Sequence, residues 1–89
     1  MLYQRMAKIT IIRQKMETAP TNVSFKDLSA LCEHYFGKAR SKGSHQIYKT
    51  PWPDDPRVNI QRSKGGKAKP CQVRQVLAAI AKLESESET

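Results

Sequence analysis

Apolar side chains recur at three- and four-residue intervals in three stretches of this 89-residue chain, which predicts three amphipathic helices. The first helix covers residues 1–18 and ends before Pro20. The second covers residues 25–36, between an S-x-x-D start signal at Ser24 and a glycine stop at Gly37. In that start signal, the serine hydroxyl and the aspartate carboxylate can accept hydrogen bonds from backbone N–H groups that the first turn leaves free.

The third helix starts near Pro70, since proline is favoured in the first turn of a helix. The apolar stripes of the three helices are, in chain order, Met6, Ile9, Ile12 and Met16; Phe25, Leu28, Leu31, Cys32, Tyr35 and Phe36; and Val73, Val76, Leu77, Ile80 and Leu83. Residues 84–89 hold three glutamates and no basic residue, and they are predicted to form an acidic disordered tail.

Between the second and third helices, the repeat of the side-chain pattern shortens to that of β-strands. Residues 38–42 and 45–50 are predicted to be strands joined by a glycine–serine turn at residues 43–44. Residues 57–61 alternate polar and apolar side chains and predict a third strand. Residues 51–56 contain three prolines, which remove backbone donors and predict a stiff loop.

This order of elements, ααβββα, predicts an α+β domain in which the helices pack on one face of a three-stranded antiparallel sheet and the other face is polar and exposed. Strict alternation places His45 with Ile47 and Lys49 and sets Tyr48 apart. A residue at a glycine-flanked strand end can escape this parity, so the pattern leaves the face of His45 open. Trp52 is expected to cap the core or to stack on a base.

The charge of the chain points to a polyanionic partner. Its formal net charge is +8, and residues 38–74 contain ten Lys and Arg against two Asp. Such a basic domain most often binds nucleic acid. The longest apolar run is far below the roughly 20 residues of a membrane helix, which predicts a cytoplasmic protein without membrane contact. Cys32 and Cys71 form no CxxC motif, so we expect free thiols and no metal.

The G-S-H turn at residues 43–45 carries the most suggestive chemistry, because Lys42 and Lys49 flank it. The unperturbed pKa of histidine, about 6.5, suits proton transfer near neutrality. Flanking cations would hold a phosphodiester against His45, which makes it a candidate general base or acid. The alternative is an ordinary tight turn with an exposed histidine. His34 lies off the apolar stripe of its helix and is expected on the surface.

A second basic segment, residues 62–69, places four cations on a loop with two glycines. Glycines let the backbone approach phosphates, and lysines neutralise phosphate charge. The G-x-x-x-x-G-K-[ST] spacing of a nucleotide-binding P-loop is absent, so ATP or GTP is not expected as a cofactor.

Residues 24–83, about two thirds of the chain, resemble the HicA toxins, which are small mRNA interferases of bacterial type II toxin–antitoxin pairs. The segments that carry the resemblance are the Ser24–Phe36 helix, the Gly43-Ser44-His45 turn followed by Ile47-Tyr48-Lys49, the Val58-Asn59-Ile60 strand and the Gln72-Val73-Arg74-Gln75-Val76-Leu77 helix. The resemblance implies a toxin domain over residues 23–83, preceded by an N-terminal extension over residues 1–22.

The resemblance also implies a fold similar to the double-stranded RNA-binding domain, and an endoribonuclease that cleaves mRNA and so arrests translation and growth. It places the catalytic histidine at His45 and implies a HicB-type antitoxin that covers this site. Cleavage is expected to proceed by metal-independent transesterification. Together with the two basic segments, the candidate RNA-binding residues are Lys42, Gly43, Ser44, Tyr48, Lys49, Arg62, Lys64, Lys67 and Lys69.

Two other function classes use the same residues. A non-catalytic double-stranded RNA-binding module would recognise A-form RNA by shape and charge and would not need His45. A pure interaction protein would use the basic surface to bind an acidic partner. Salt sensitivity does not distinguish the nuclease from the binding module, because both contact phosphates.

Overall fold

All three predicted helices and all three predicted strands form. The computed structural model describes residues 2–52 and 57–87 and shows an α+β protein with a three-stranded antiparallel sheet. Its elements are α1 (Leu2–Thr18), α2 (Phe25–Phe36), β1 (Arg40–Lys42), β2 (His45–Tyr48), β3 (Val58–Gln61) and α3 (Pro70–Ser87). A short 3-10 turn, Lys64–Gly66, lies between β3 and α3.

The ends of α2 confirm the sequence signals that predicted them. The Ser24 hydroxyl oxygen accepts a hydrogen bond of 3.1 Å from the backbone N–H of Asp27, which satisfies one of the free donors of the first turn. At the other end, Gly37 has φ 89°, and its N–H donates to the carbonyl oxygen of Glu33 at 3.0 Å. Glycine adopts this positive φ without the steric cost that a Cβ atom would add.

The sheet is a meander in the order β1-β2-β3. Lys42 is paired with His45 across a two-residue turn, and Gly43 has φ 61° at the first central position of that turn. Short hairpin turns require such a positive φ, and glycine supplies it. The turn therefore fixes the register of β1 on β2, and β3 continues it by pairing Gln61 with His45.

The core lies between the helices and one face of the sheet. Tyr48 and Ile60 point into it, with 1% and 0% of their surfaces exposed, and α2 packs on β2 while α3 packs on β3. From α1, Ile12 and Met16 are buried in the same core, so the predicted N-terminal extension packs as part of the domain. Met6, the first member of the predicted stripe, lies outside the residues whose side chains the structure describes.

The prediction of a disordered acidic tail is wrong for residues 84–87, because α3 continues to Ser87. Long-range contacts hold this last part of the helix. A carboxylate oxygen of Glu84 lies 2.7 Å from Nη1 of Arg13 in α1, and the indole N–H of Trp52 donates to the carboxylate of Glu86. Residues 88–89 lie outside the described part of the chain.

The proline-rich loop is described only at its beginning. Residues 53–56 lie outside the described residues, so the turn predicted at Asp54 and Asp55 stays a prediction. Trp52 is half-buried, and the ammonium of Lys82 in α3 lies 4.3 Å from the centre of its ring, so the indole contacts α3. Across residues 2–52 and 57–87, no helix has both the length and the apolar character needed to cross a membrane.

Candidate functional site

The candidate site lies on the face of the sheet that turns away from the helices. Directly paired residues of neighbouring strands share a face, so the register assigns each strand residue to one side. The residues on the face opposite the core, called the open face below, are Arg40, Lys42, His45, Ile47, Asn59 and Gln61. The sequence pattern left open which face His45 occupies. In the structure β2 alternates regularly from its first residue, so His45 lies on the open face together with Ile47.

His45 is held by a hydrogen bond from one of its ring nitrogens. Its Nδ1 lies 2.9 Å from Oδ1 of Asn59, a diagonal neighbour on β3. An amide oxygen only accepts hydrogen bonds, so this contact favours the tautomer with the proton on Nδ1. The other nitrogen, Nε2, then presents a lone pair, and it has no hydrogen-bond partner among residues 8–52 and 57–86. This is the arrangement that a general base requires.

Lys42 and Gln61 lie on either side of His45. Directly opposite side chains in an antiparallel sheet have Cβ atoms about 5 Å apart, so the ammonium of Lys42 can reach an anion bound at the imidazole. Lys42 is exposed and His45 is half-buried. The site therefore pairs a proton acceptor on β2 with an exposed cation on β1.

Lys42, His45 and Gln61 form a row of directly paired residues across the three strands, called the His45 row below. The side chain and backbone of Gln61 connect this row to the turn, to the basic loop and to α3. Its side-chain N–H group donates to the hydroxyl of Ser44 at 3.3 Å, and its Oε1 accepts from the ammonium of Lys69 at 2.8 Å. Its backbone N–H donates to Oε1 of Gln72 in α3 at 2.9 Å. A second cation, Lys69, is thereby held beside the His45 row.

Tyr48 requires a correction, because the structure places it away from the predicted RNA-binding surface. Its side chain lies on the helix-covered face with 1% exposure. Its hydroxyl donates to Oε1 of Gln46 at 2.9 Å and lies 3.2 Å from the Ser29 hydroxyl oxygen. Burial raises the pKa of Tyr48 above its ordinary value. The tyrosine is a core residue with a satisfied hydroxyl, and it does not reach RNA in this fold.

The remaining predicted RNA-binding residues lie further from His45 or face other elements. Lys49 follows the far end of β2, about 13 Å from His45 along the strand. The guanidinium of Arg62 lies 5.2 Å from the ring centre of Phe25, and the ammonium of Lys67 donates to Oδ1 of Asn22 at 2.9 Å. Lys64 is exposed on the 3-10 turn. The basic loop of residues 62–69 thus packs against the start of α2. Of its four cations, Lys69 is the one that is hydrogen-bonded to Gln61 beside His45.

Sequence reasoning did not select Asn59 and Gln61. Both are polar residues on the exposed side of an alternating strand, which is a signal common to any surface strand. Their proximity to His45 follows from the register of β3 on β2. The sequence of β3 alone does not determine that register. Within the part of the chain whose side chains are described, no group of three His, Cys, Asp or Glu could hold a metal ion.

Comparison with known proteins gives no assignment for this site. No protein-family model, curated protein or solved structure matches the chain. The motif resemblance and the geometry of the open face are the features that bear on function.

Proposed function

We propose that this protein is a HicA-like toxin, an mRNA interferase that cleaves RNA with His45 as its general base. The observation that carries the proposal is the setting of His45: its Nδ1 is bonded to Asn59 and its Nε2 points to no described partner on an open, basic face. The proposed fold class is that of the double-stranded RNA-binding domain. The order of α2, three antiparallel strands and α3 supports it.

The proposed reaction uses the nucleophile that RNA itself carries, the 2′-hydroxyl beside the scissile phosphate. Nε2 of His45 removes the hydroxyl proton, and the 2′-oxygen forms a bond to phosphorus. The bond from phosphorus to the 5′-oxygen breaks, the leaving oxygen takes a proton from water, and a 2′,3′-cyclic phosphate remains. Lys42 and Lys69 stabilise the added negative charge at phosphorus.

The proposal includes the partner and the setting of the reaction. The substrate is mRNA in the cytoplasm, and a HicB-type antitoxin neutralises the toxin. The net charge of +8 supports association with RNA and with an acidic region of such an antitoxin.

The test compares His45→Ala with His34→Ala, because the chain has two histidines and His34 is exposed on α2. Purified proteins are incubated with an end-labelled RNA in the presence of EDTA. We expect His45→Ala to lower the cleavage rate by about 10²–10⁴-fold, as the loss of a general base does. His34→Ala should cleave at the wild-type rate, and the product should carry a cyclic phosphate.

Other outcomes distinguish the alternatives. Equal RNA binding by all three proteins, with no cleavage by any, would identify a non-catalytic RNA-binding module. Cleavage that survives His45→Ala would exclude His45 as the base. Growth arrest on induced expression, with its loss in folded His45→Ala, would link the activity to toxicity.

A further inference from the structure

The open face has a depression beside His45. It is lined by Lys42, Gly43, His45, Ile47 and Asn59, and its volume is about 430 Å³. That size lies in the range of about 300–1,000 Å³ that is typical of small-ligand sites. The depression extends from the proposed base along β2, so a group bound in it would be part of the same ligand that reaches His45.

Ile47 gives this depression an apolar floor. It is the one aliphatic side chain on the open face of the three strands, and it is half-buried at the centre of the sheet on β2. The side chains directly beside it are Arg40 on β1 and Asn59 on β3. An apolar surface flanked by a cation and an amide can accept the face of a nucleobase while the cation holds the phosphate attached to it.

The spacing along β2 fits one nucleotide. His45 and Ile47 are two residues apart on the same face, which places them about 7 Å from each other. This separation is comparable with the span between the base and the phosphate of one nucleotide. A base resting on Ile47 would thus leave its ribose and phosphate near Nε2 of His45 and the ammonium of Lys42.

Asn59 can hold the edge of such a base. Its Oδ1 accepts one hydrogen bond from Nδ1 of His45, and its donors all lie on its NH₂ group. That group donates to carbonyl oxygens or ring nitrogens on the edge of a base. The same residue would then position both the imidazole and the nucleotide.

We infer that this depression is a binding subsite for an unpaired nucleobase, so that the substrate RNA is single-stranded at the point of cleavage; the inference rests on the proposed function for the role of His45. In a duplex, the base faces are stacked on one another and side chains reach only base edges, the 2′-hydroxyls and phosphates. Single-strand binders with an open sheet stack bases on aromatic side chains of the central strands. Ile47 has the corresponding central position here but offers an aliphatic surface to the base.

The test measures binding and cleavage separately on matched RNAs. One RNA is used alone, annealed to its full complement, and annealed to a complement that leaves the mapped cleavage nucleotide unpaired. Binding is followed by fluorescence anisotropy with the His45→Ala protein, so that no substrate is lost, and cleavage with the wild type. We expect the full duplex to be cleaved at least about tenfold more slowly, and the gapped duplex to recover the rate.

Ile47→Ala tests the floor of the depression, with Ile11→Ala as its control, because Ile11 is 53% exposed on α1, away from the sheet. We expect Ile47→Ala to weaken binding of single-stranded RNA about fivefold, the lower end of what removal of an aromatic stacking partner causes, because an aliphatic side chain offers no ring face to the base. Ile11→Ala should bind as the wild type does.

The outcomes separate this inference from the proposed function. Equal binding and cleavage of single strand and duplex, with no effect of Ile47→Ala, would overturn the subsite while His45-dependent cleavage kept the nuclease. Binding of single strands that depends on Ile47, without His45-dependent cleavage, would support the subsite and overturn the nuclease. No RNA binding by any of the proteins would overturn both.

Discussion

The two faces of the sheet are built from the same strands but are held in different ways. On the covered face, Tyr48 and Ile60 are packed against the helices and have almost no exposed surface. On the open face, His45 and Asn59 are partly or largely exposed and hold each other by a hydrogen bond. Apolar packing against the helices thus holds the side chains of the covered face in place. Strand register and hydrogen bonds position the side chains of the open face.

This difference shows how so small a domain can combine a stable core with a polar face on which the proposed site lies. Apolar burial supplies the free energy of folding, and nearly all of it lies on the helix side. The open face can carry a histidine, cations and an amide at little cost, because these groups keep their contact with water. Substitutions on the two faces should therefore have separable effects on stability and on the proposed RNA cleavage.

The largest expected difference in stability is between two variants that shorten an isoleucine, one on the covered face and one on the open face. Ile60→Ala should lower the free energy of unfolding by about 2–5 kcal/mol, because it leaves a cavity at a site with 0% exposure. Ile47→Ala on the open face should lower it by under about 1 kcal/mol. Urea denaturation followed by far-ultraviolet circular dichroism measures both.

The pair of variants also separates stability from function. Ile47→Ala should remain folded and yet bind single-stranded RNA more weakly. Equal losses of stability in the two variants would contradict the division, since they would show that the open face is packed as tightly as the covered one.

The elements of this fold were predictable because their signals are local. The stripes of the helices, the cap at Ser24 and the stop at Gly37 each depend on neighbouring residues. Tyr48 shows the limit of motif reasoning, since its position next to the G-S-H turn suggested RNA contact although alternation had already set it apart from His45. The helical end of α3 was missed because Arg13, a partner distant in sequence, holds it.

The partners of His45 were not predictable for a related reason. Asn59 is 14 residues away in sequence, and its contact with Nδ1 depends on the register of β3. That register is supported by core packing on the opposite face, where Tyr48 of β2 and Ile60 of β3 are buried. A local pattern can identify which residues alternate outward, but it does not determine which of them meet.

A second prediction uses the buried thiol of the covered side. Burial raises the pKa of Cys32 to about 12, above the value of roughly 8.5 expected in the unfolded chain. The neutral thiol therefore contributes stability that is fully present below about pH 8.5 and is lost as the pH rises through the folded pKa. We expect the free energy of unfolding to fall by up to about 1.4 kcal/mol per pH unit above pH 9.

Cys32→Ala should make this decline shallower, whereas Cys71→Ala should leave it unchanged because Cys71 is exposed. Urea denaturation at intervals between about pH 8 and 11 gives the slopes. Some decline should remain in Cys32→Ala, because the raised pKa of Tyr48 acts in the same direction at higher pH. Identical slopes in the wild type and Cys32→Ala would show that the thiol ionises freely in the folded protein.

The smallest expected effect lies at the edge of the covered side, where Glu84 of α3 meets Arg13 of α1. The guanidinium lowers the pKa of the Glu84 carboxyl, but both side chains remain partly exposed, at 26% for Arg13 and 42% for Glu84. Exposed ion pairs contribute about 0.2–1 kcal/mol, so Glu84→Gln should lower the free energy of unfolding by no more than that at pH 7.

The pH dependence of this small difference identifies its origin. A lowered pKa gives stability that is present above the ordinary value of about 4.3 and is lost as the pH falls through the folded value. The difference in the free energy of unfolding between wild type and Glu84→Gln should thus disappear in acid and become smaller in high salt.

Glu17→Gln is the matched control, since Glu17 also pairs with Arg13, at 3.0 Å, but within α1. Because that pair joins no second element, Glu17→Gln should leave the last turn of α3 protected from amide hydrogen exchange, whereas Glu84→Gln should expose it. Equal exchange in both variants would mean that contacts other than this ion pair, such as that of Trp52 with Glu86, hold the end of α3.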